Sequence, residues 1–462
     1  MSLAHLLFSA WLTVTVQGSQ EPIQHTLSFP EAQNHYLNVE SIFPTGGAPT
    51  IEVKMAVWTP GSYLVREFAR HIEDLRANTG SGNSLIVIKI KKNRWRIETR
   101  GEPQVTLSYR IYCREMSVRT NWVESEFAML NGAPTFLTRD VEAPHSVRLQ
   151  LPPSWGRSIT GLPQHPEGGK DHYWAESFDI LVDSPILAGN PAVYEFEVGG
   201  KKHFLVNQGE GGIWDGPRSA VDVEKIAAEN LRFWGQLPYE KYVFLNLISE
   251  SGGGLEHLNS TLMMTSRWRS RVPKDYRGWL GLVSHEFFHT WNVKRLRPVE
   301  LGPFDYEREV HTKSLWIAEG LTSYYDDLLL HRAGLYDRKQ YLKALSRQIE
   351  SLQTTPGRKV QPLEMASYDS WIKHYRRNEN SPNTTISYYT KGAVVGFLLD
   401  AEVRRATDGE RSLDDVMRLA YERYSGKRGY TPQEFRAVVS EVAGTDLSEW
   451  LQRALETTQE LD

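Results

Sequence analysis

The sequence has a single cysteine, Cys113, among its 462 residues. One cysteine excludes an intramolecular disulfide and any zinc site built on cysteine pairs. Cys113 ends an alternation of apolar residues that begins at Val105, a pattern typical of the buried face of a β-strand. We therefore expect a buried, inert thiol, which favours neither an oxidising nor a reducing compartment.

The chain also lacks a strong charge bias and long hydrophobic segments. Its 53 Lys and Arg residues against 57 Asp and Glu argue against nucleic acid or an anionic membrane as a partner. The apolar run at 3–16 is too short to span a bilayer comfortably, and no other segment looks transmembrane. Small residues at Val16 and Gly18 predict a signal peptide over residues 1–18, although its start carries no Lys or Arg. We expect export to the periplasm or the medium; a cytoplasmic protein with a buried N-terminal strand is the alternative.

The period of the apolar residues changes along the chain. Residues 21–200 contain short alternating runs, such as 51–57 and 193–198, separated by turn signals such as Gly199-Gly200. Residues 203–462 have apolar residues mostly at helical spacing. The length exceeds what one hydrophobic core supports. The sequence therefore predicts an α+β protein, with an N-terminal antiparallel β-sandwich-like domain (21–200) before a mostly α-helical domain (203–462).

The most informative motif is His-Glu-Phe-Phe-His at 285–289. Positions i and i+4 share one face of an α-helix, so His285 and His289 can bind one metal ion. Glu286 then lies beside the ion as a general base. The neighbouring residues are largely apolar, and histidines buried among them need a partner or a metal. The motif predicts a zinc hydrolase; the alternative is two hydrogen-bonded core histidines with Glu286 in a salt bridge.

A catalytic zinc usually has three protein ligands, and Glu319 is the candidate for the third. It lies on the next predicted helix, among apolar residues where a carboxylate needs a partner or a metal. A buried ion pair with Arg295 or Arg297 is the alternative role for Glu319. His311 is a rival ligand, but it lies in a charged stretch that we expect to be exposed.

A resemblance to a known family extends these predictions. It is carried by the segments 285–295 and 316–325, and by 58–63, 66–68 and 183–186 in the β-rich part. These segments resemble the glycyl aminopeptidase family of zinc metallopeptidases, which belongs to the gluzincin clan and is a distant relative of aminopeptidase N. The resemblance covers nearly the whole chain and implies a thermolysin-like peptidase domain. Family members usually continue into a C-terminal PDZ domain, which we expect this chain to lack.

The resemblance implies a role for individual residues of the metal site. His285, His289 and Glu319 would bind one Zn²⁺ per chain, with Glu286 as the base. Without the resemblance, the prediction of Zn²⁺ rests on the motif and its apolar surroundings.

Substrate-binding roles follow from the same resemblance. The segment 252–257 is similar to the glycine-rich strand that aminopeptidases of this clan use to hold a peptide, with Gly253 and Gly254 allowing a close approach of the backbone. Glu256 would pair with the free α-ammonium group. Tyr389 would donate a hydrogen bond to the oxyanion, with the adjacent Tyr388 as the alternative. Without the resemblance, a plain turn explains the glycine run equally well.

Together these features predict a zinc-dependent aminopeptidase acting on peptides with a free N-terminus. A metal-activated water would attack the scissile carbonyl while Glu286 moves the proton. The family name implies N-terminal Gly or Ala as the residue removed. A zinc endopeptidase or oligopeptidase with an open cleft is the alternative, and a non-catalytic binding protein that keeps the fold is a third. The oligomeric state does not follow from the sequence.

Overall fold

The computed structural model describes residues 21–461, so the predicted signal peptide at 1–18 lies outside the described residues. That segment and the export of the chain stay predictions. Among the residues described, no helix is both long and apolar enough to cross a membrane.

The first part of the chain is built from β-strands. In chain order they are β1 (Ile23–Ser28), β2 (Tyr36–Pro44), β3 (Thr50–Met55), β4 (Ile72–Thr79), β5 (Ser84–Leu85), β6 (Val87–Lys91), β7 (Arg94–Glu98), β8 (Gln104–Tyr112), β9 (Trp122–Val123), β10 (Ala128–Leu130), β11 (Leu137–Thr138), β12 (His145–Gln150), β13 (Arg157–Thr160), β14 (His172–Ala175) and β15 (Ile186–Gly189). They form sheets in the orders β14-β12-β1-β2-β8-β4-β5, β11-β3-β7-β6 and β13-β15-β10-β9. The pairing is antiparallel except between β1 and β12.

Alternation along β8 explains how these sheets form a core. Its residues are buried at every second position from Val105 to Ile111 and pair with β2, so one apolar face points inward. Cys113 follows this strand and is 1% exposed, as predicted. Burial raises the pKa of its thiol far above the usual range, which keeps it protonated and inert.

A mixed five-stranded sheet begins the second part. Its order is β16 (Ala192–Val198), β17 (Lys201–Gln208), β18 (Lys241–Ile248), β20 (Ser260–Thr265) and β19 (Gly253–Glu256). The sequence assigned the strand at 193–198 to the N-terminal domain, but it pairs along its whole length with β17. The Gly199-Gly200 turn joins the two strands, so they form a hairpin and must share a sheet. This sheet crosses the predicted boundary between the domains 21–200 and 203–462. The limits of the two domains stay predictions.

Helices make up most of the remainder, as predicted. A short helix, α1 (Phe178–Val182), lies in the β-rich part. The helices of the second part are α2 (Gly216–Trp234), α3 (Pro273–Phe288), α4 (Leu321–Arg332), α5 (Arg338–Thr354), α6 (Leu363–Tyr368), α7 (Ser381–Thr384), α8 (Tyr388–Ala406), α9 (Leu413–Tyr424), α10 (Pro432–Ala443) and α11 (Ser448–Glu456). A π-helical turn, Trp316–Gly320, leads directly into α4. The structure confirms the predicted α+β class, with a β-rich part before a helical one.

A loop of the β-rich part reaches into the helical part. Trp58 and Tyr63 are buried in the hydrophobic core of the helical part, and the Trp58 indole Nε1 donates to the Asp305 carbonyl at 2.8 Å. Both side chains are fully buried aromatics, so this contact stabilises the position of the loop. It brings Gly61, which lies between them, to the site described next.

Candidate active site

Three potential metal ligands converge at the end of α3. His285 and His289 lie one turn apart, and Glu319 faces them from the π-helical turn. The Glu319 Oε2 atom lies 3.1 Å from His289 Nε2 and 3.5 Å from His285 Nε2. The ligand atoms all lie within 4.8 Å of one another. The structure therefore brings together the three side chains predicted as ligands.

The contacts of Arg295 and His311 do not match the alternatives predicted for the third ligand. The Arg295 guanidinium donates to the carbonyls of Leu258 and Thr290 rather than to Glu319. His311 lies elsewhere, with its Nδ1 against the Tyr368 carbonyl at 2.9 Å.

The outer nitrogen of each histidine is held by a second group. His285 Nδ1 lies 3.1 Å from Asp326 Oδ2, and His289 Nδ1 lies 2.8 Å from the Asn292 carbonyl. A neutral imidazole whose Nδ1–H donates to these oxygens keeps its Nε2 lone pair for a metal ion, which is how ligand histidines are commonly oriented. Sequence reasoning missed Asp326, although its position two helical turns after Glu319 places it on the same face.

The electrostatics of the three groups suit a cation. Although burial alone would raise the pKa of Glu319, His289 and His285 lower it to about 2. Burial opposes a charged imidazole at His285, but hydrogen bonds with Asp326 and Glu319 outweigh it and raise its pKa well above the usual value. The point of convergence therefore stabilises positive charge. Two imidazoles and a carboxylate are also the donor types that Zn²⁺ takes.

Two glycines bring the oxyanion-donor candidate close to this cluster. A Cβ at Gly320 would lie 2.6 Å from Gly392 Cα, and one at Gly392 would lie 2.7 Å from Gly320 Cα. Real side chains do not tolerate such contacts, so the π-helical turn and α8 meet backbone to backbone. Tyr389 lies one turn before Gly392 and therefore approaches Glu319.

The structure distinguishes the two neighbouring tyrosines. Tyr389 lines the active-site cavity, and its ring lies 6.1 Å from that of His285. Tyr388 is fully buried in the hydrophobic core and does not line that cavity. Burial, with the negative charge of Glu319, raises the pKa of Tyr389 well above its usual value, so its hydroxyl keeps its proton. Of the two, Tyr389 has the hydroxyl that can donate toward a ligand in the cavity.

Glu286 is buried beside the metal ligands, on the same helix. Its Oε2 atom has no hydrogen-bond partner among the described residues. Burial raises the pKa of Glu286 to about 7; His285 opposes that rise and the Glu256 carboxylate adds to it. A methyl group at Gly254 would overlap the Glu286 carboxylate, so the glycine backbone is part of the surface that holds this side chain.

Replacing Gly254 with Ala should therefore displace the Glu286 carboxylate and lower kcat by about 10²-fold, because small misplacements of a catalytic group are costly. Gly252→Ala is the matched control, since a Cβ at Gly252 meets nothing within 4 Å and its backbone is not left-handed. We expect that control to keep the wild-type kcat. Steady-state kinetics on both variants, with bound zinc measured in parallel, check the prediction; equal kcat values would contradict it.

The glycine-rich segment forms the edge strand β19 and carries Glu256 into the site. Gly253 has a left-handed φ of 112°, which favours glycine there. Glu256 is 4% exposed, and its Oε1 atom has no hydrogen-bond partner among the described residues. Oxygen atoms of Glu256 and Glu286 lie within 4.8 Å of each other and of a His289 nitrogen. A second, acidic cluster thus adjoins the metal ligands, and some of its carboxylate oxygens have no hydrogen-bond partner among the described residues.

The cavity around these clusters has a volume of about 440 Å³, and residues from both parts of the chain line it. Gly61 and Arg119 come from the β-rich part. A Cβ at Gly61 would overlap the Glu256 carboxylate, so the loop that carries Gly61 lies directly against that side chain. The resemblance at 58–63 identified this loop only as part of the N-terminal β domain, and no signal in the sequence indicated that Gly61 or Arg119 lines the site.

Comparisons with known proteins match family models to both parts of the chain. The M61 glycyl aminopeptidase model matches residues 278–395, and the Peptidase M61 N-terminal domain model matches residues 24–190. An aminopeptidase N family protein from Idiomarina loihiensis has 32% sequence identity and a TM-score of 0.91, over 95% of this chain and 77% of that one. A comparison with curated proteins found no match.

A more distant likeness extends to other peptidase structures. An M1 zinc metallopeptidase from Deinococcus radiodurans has 13% identity and a TM-score of 0.57, over 96% of this chain and 95% of that one. A mutant of that enzyme bound to a Tyr-Ser-Ala substrate is similar to the same degree. At this identity the likeness shows a shared fold. Taken with the matched models, these findings identify the chain as a metallo-aminopeptidase that belongs to the M61 glycyl aminopeptidase family.

Proposed function

We propose that the protein is a zinc-dependent aminopeptidase that removes an N-terminal Gly or Ala from peptides, with Glu286 as the general base. The observation that carries the proposal is the position of Glu256, a buried and partly unsatisfied carboxylate next to the predicted metal ligands. A carboxylate there can bind an α-ammonium group while the first carbonyl of the same peptide lies at the metal ligands.

The residues present fit a zinc ion. His285, His289 and Glu319 would hold it, with Asp326 and the Asn292 carbonyl orienting the two imidazoles. Zinc in this position would lower the pKa of a water molecule and polarise the scissile carbonyl.

The chain's own groups would then move the proton and stabilise charge. The free Oε2 atom of Glu286 can accept a proton from the attacking water and deliver it to the leaving amine, while Gly254 keeps the carboxylate in place. The Tyr389 hydroxyl would donate a hydrogen bond to the carbonyl oxygen as it gains negative charge.

The shape of the space around Glu256 supports removal of a single residue. Among the described residues, Glu256 and Gly61 also border a small cavity of about 20 Å³, lined by aromatic side chains that include Trp58 and Phe304. Such a volume holds about one water molecule. A substrate that continued past Glu256 in this direction would have no room, which favours the exopeptidase over the open-cleft endopeptidase.

The preference for Gly or Ala rests on family membership. A panel of aminoacyl amides bearing Gly, Ala, Leu and Phe, assayed with and without chelator, tests it. We expect the Gly and Ala amides to be the best substrates and chelator to abolish all turnover, with recovery on addition of zinc. Turnover that survives complete removal of the metal would overturn the zinc mechanism.

Replacing Glu256 with Gln should lower kcat/KM for free-amine peptides by about 10- to 100-fold, because a charge-assisted hydrogen bond contributes about 1.5–3 kcal/mol. Gln keeps the side-chain size, so the contact with Gly61 is retained. Wild-type and variant enzymes are compared on Gly-Ala-Phe and on N-acetyl-Gly-Ala-Phe. Equal cleavage of the two peptides by the wild-type enzyme would remove Glu256 from its proposed role.

A further inference from the structure

A second cavity, with a volume of about 320 Å³, adjoins the active-site cavity. The two share Gly278, Tyr336 and Arg347 on their common border. Basic side chains from two segments of the helical part line the second cavity, which we call the basic groove: Arg269, Lys274, Arg277, Lys343 and Arg347. Asp275 is the one carboxylate among the described residues that line it.

These basic side chains have no carboxylate partner within salt-bridge distance among residues 21–461. Some surface arginines of the protein are paired with carboxylates; Arg423, for example, binds Glu441 through two hydrogen bonds. The basic groove therefore presents several uncompensated positive charges on one surface. Negative charge in a ligand would be attracted to it, and more strongly at low ionic strength.

Along α3, the groove borders Gly278 toward the N-terminal end of the helix, whereas Glu256 approaches Glu286 and His289 at the C-terminal end. Glu256 and Gly61 border the small cavity at one end of the active site, and Gly278 and Tyr336 border the groove at the other. Gly278 precedes His285 by about two turns of α3, or roughly 10 Å at 1.5 Å per residue. An extended peptide covers that distance in about three residues.

We propose that the basic groove binds a carboxylate of the substrate from about the third residue after the scissile bond onward. This rests on the proposed function, because it takes the amino end of the peptide to lie at Glu256. Arginine presents a planar pair of donors that matches a carboxylate, and lysine adds positive charge. The carboxylate has two sources with the same chemistry, an Asp or Glu side chain or the C-terminus of a short peptide.

Kinetics of the zinc-loaded, full-length protein on matched peptides test the inference. The side-chain arm compares Gly-Ala-Ala-Glu-Glu-amide with Gly-Ala-Ala-Gln-Gln-amide, and the chain-end arm compares Gly-Ala-Ala-Gln with its amide. We expect the charged member of at least one pair to have about 5- to 10-fold higher kcat/KM at low ionic strength, the size expected of a few exposed ion pairs. The advantage should disappear near 1 M salt, where charges are screened over about 3 Å.

Charge reversal identifies the groove as the cause. Lys343→Glu on α5 and Lys274→Glu on α3 should each remove the advantage of the charged peptide. Lys339→Glu is the matched control on α5, because Lys339 is exposed and does not line the groove, and it should keep both rate and preference.

The outcomes separate this inference from the proposed function. Equal kcat/KM for both members of both pairs, with normal zinc-dependent cleavage, overturns the groove and leaves the aminopeptidase intact. An advantage lost equally in Lys339→Glu also overturns it. Cleavage of none of the peptides by zinc-loaded protein overturns the proposed function itself.

Discussion

Replacing Glu286 with Gln should leave bound zinc unchanged and lower kcat by about 10²- to 10⁴-fold, the usual contribution of a general base. Gln has nearly the same shape, so its contact with the Gly254 backbone is kept. The Gln amide, however, cannot accept a proton from water as the Glu carboxylate does. His285, His289 and Glu319 are untouched, and the site should therefore retain its metal.

Elemental analysis measures the bound zinc, and steady-state kinetics on a glycyl peptide measure kcat. Thermal unfolding serves as the control for folding. Loss of zinc together with activity would mean that Glu286 helps to hold the metal. Full activity of the variant would show that another group is the base.

Replacing Tyr389 with Phe should lower kcat by about 10²- to 10³-fold with little change in KM, because the hydroxyl acts on charge that develops after substrate binds. The ring remains in place against His285, so the change removes only the donor. Kinetics on the glycyl amide give kcat and KM separately.

The neighbouring residue is a matched control. Tyr388→Phe removes a buried hydroxyl that has no hydrogen-bond partner among the described residues. Deleting such a group is close to neutral for stability, and it should leave kcat near the wild-type value. If Tyr388→Phe were the slow variant and Tyr389→Phe the active one, the two tyrosines would have to exchange roles.

Local spacing accounts for the part of the site that could be predicted. The period of a helix places His285 and His289 on one face. Glu319 could be predicted because it is a carboxylate among apolar residues of the next helix. The structure brings these three side chains together. Asp326 was within reach of the same logic. The β-rich and helical parts were also visible, because a change of period needs no knowledge of tertiary contacts.

Long-range contacts account for what could not be predicted. Arg119 reaches the cavity from a loop of the β-rich part, and no local pattern encodes that approach. The basic side chains of the groove come from the segments 269–277 and 343–347, which are far apart in the sequence. The helix α10, in contrast, carries local signals that could have predicted its two ends. Thr431 and Glu434 form a capping box at its start, and Gly444 ends it in a left-handed conformation.

The backbone contact between Gly320 and Gly392 has a mechanical consequence. With no side chains between them, the turn that carries Glu319 and the helix that carries Tyr389 have little freedom to slide or separate. We therefore expect these two walls to move as one rigid unit when products leave. Any widening of the cleft should occur on the opposite side, where the loop carrying Gly61 rests on Glu256 from the other part of the chain.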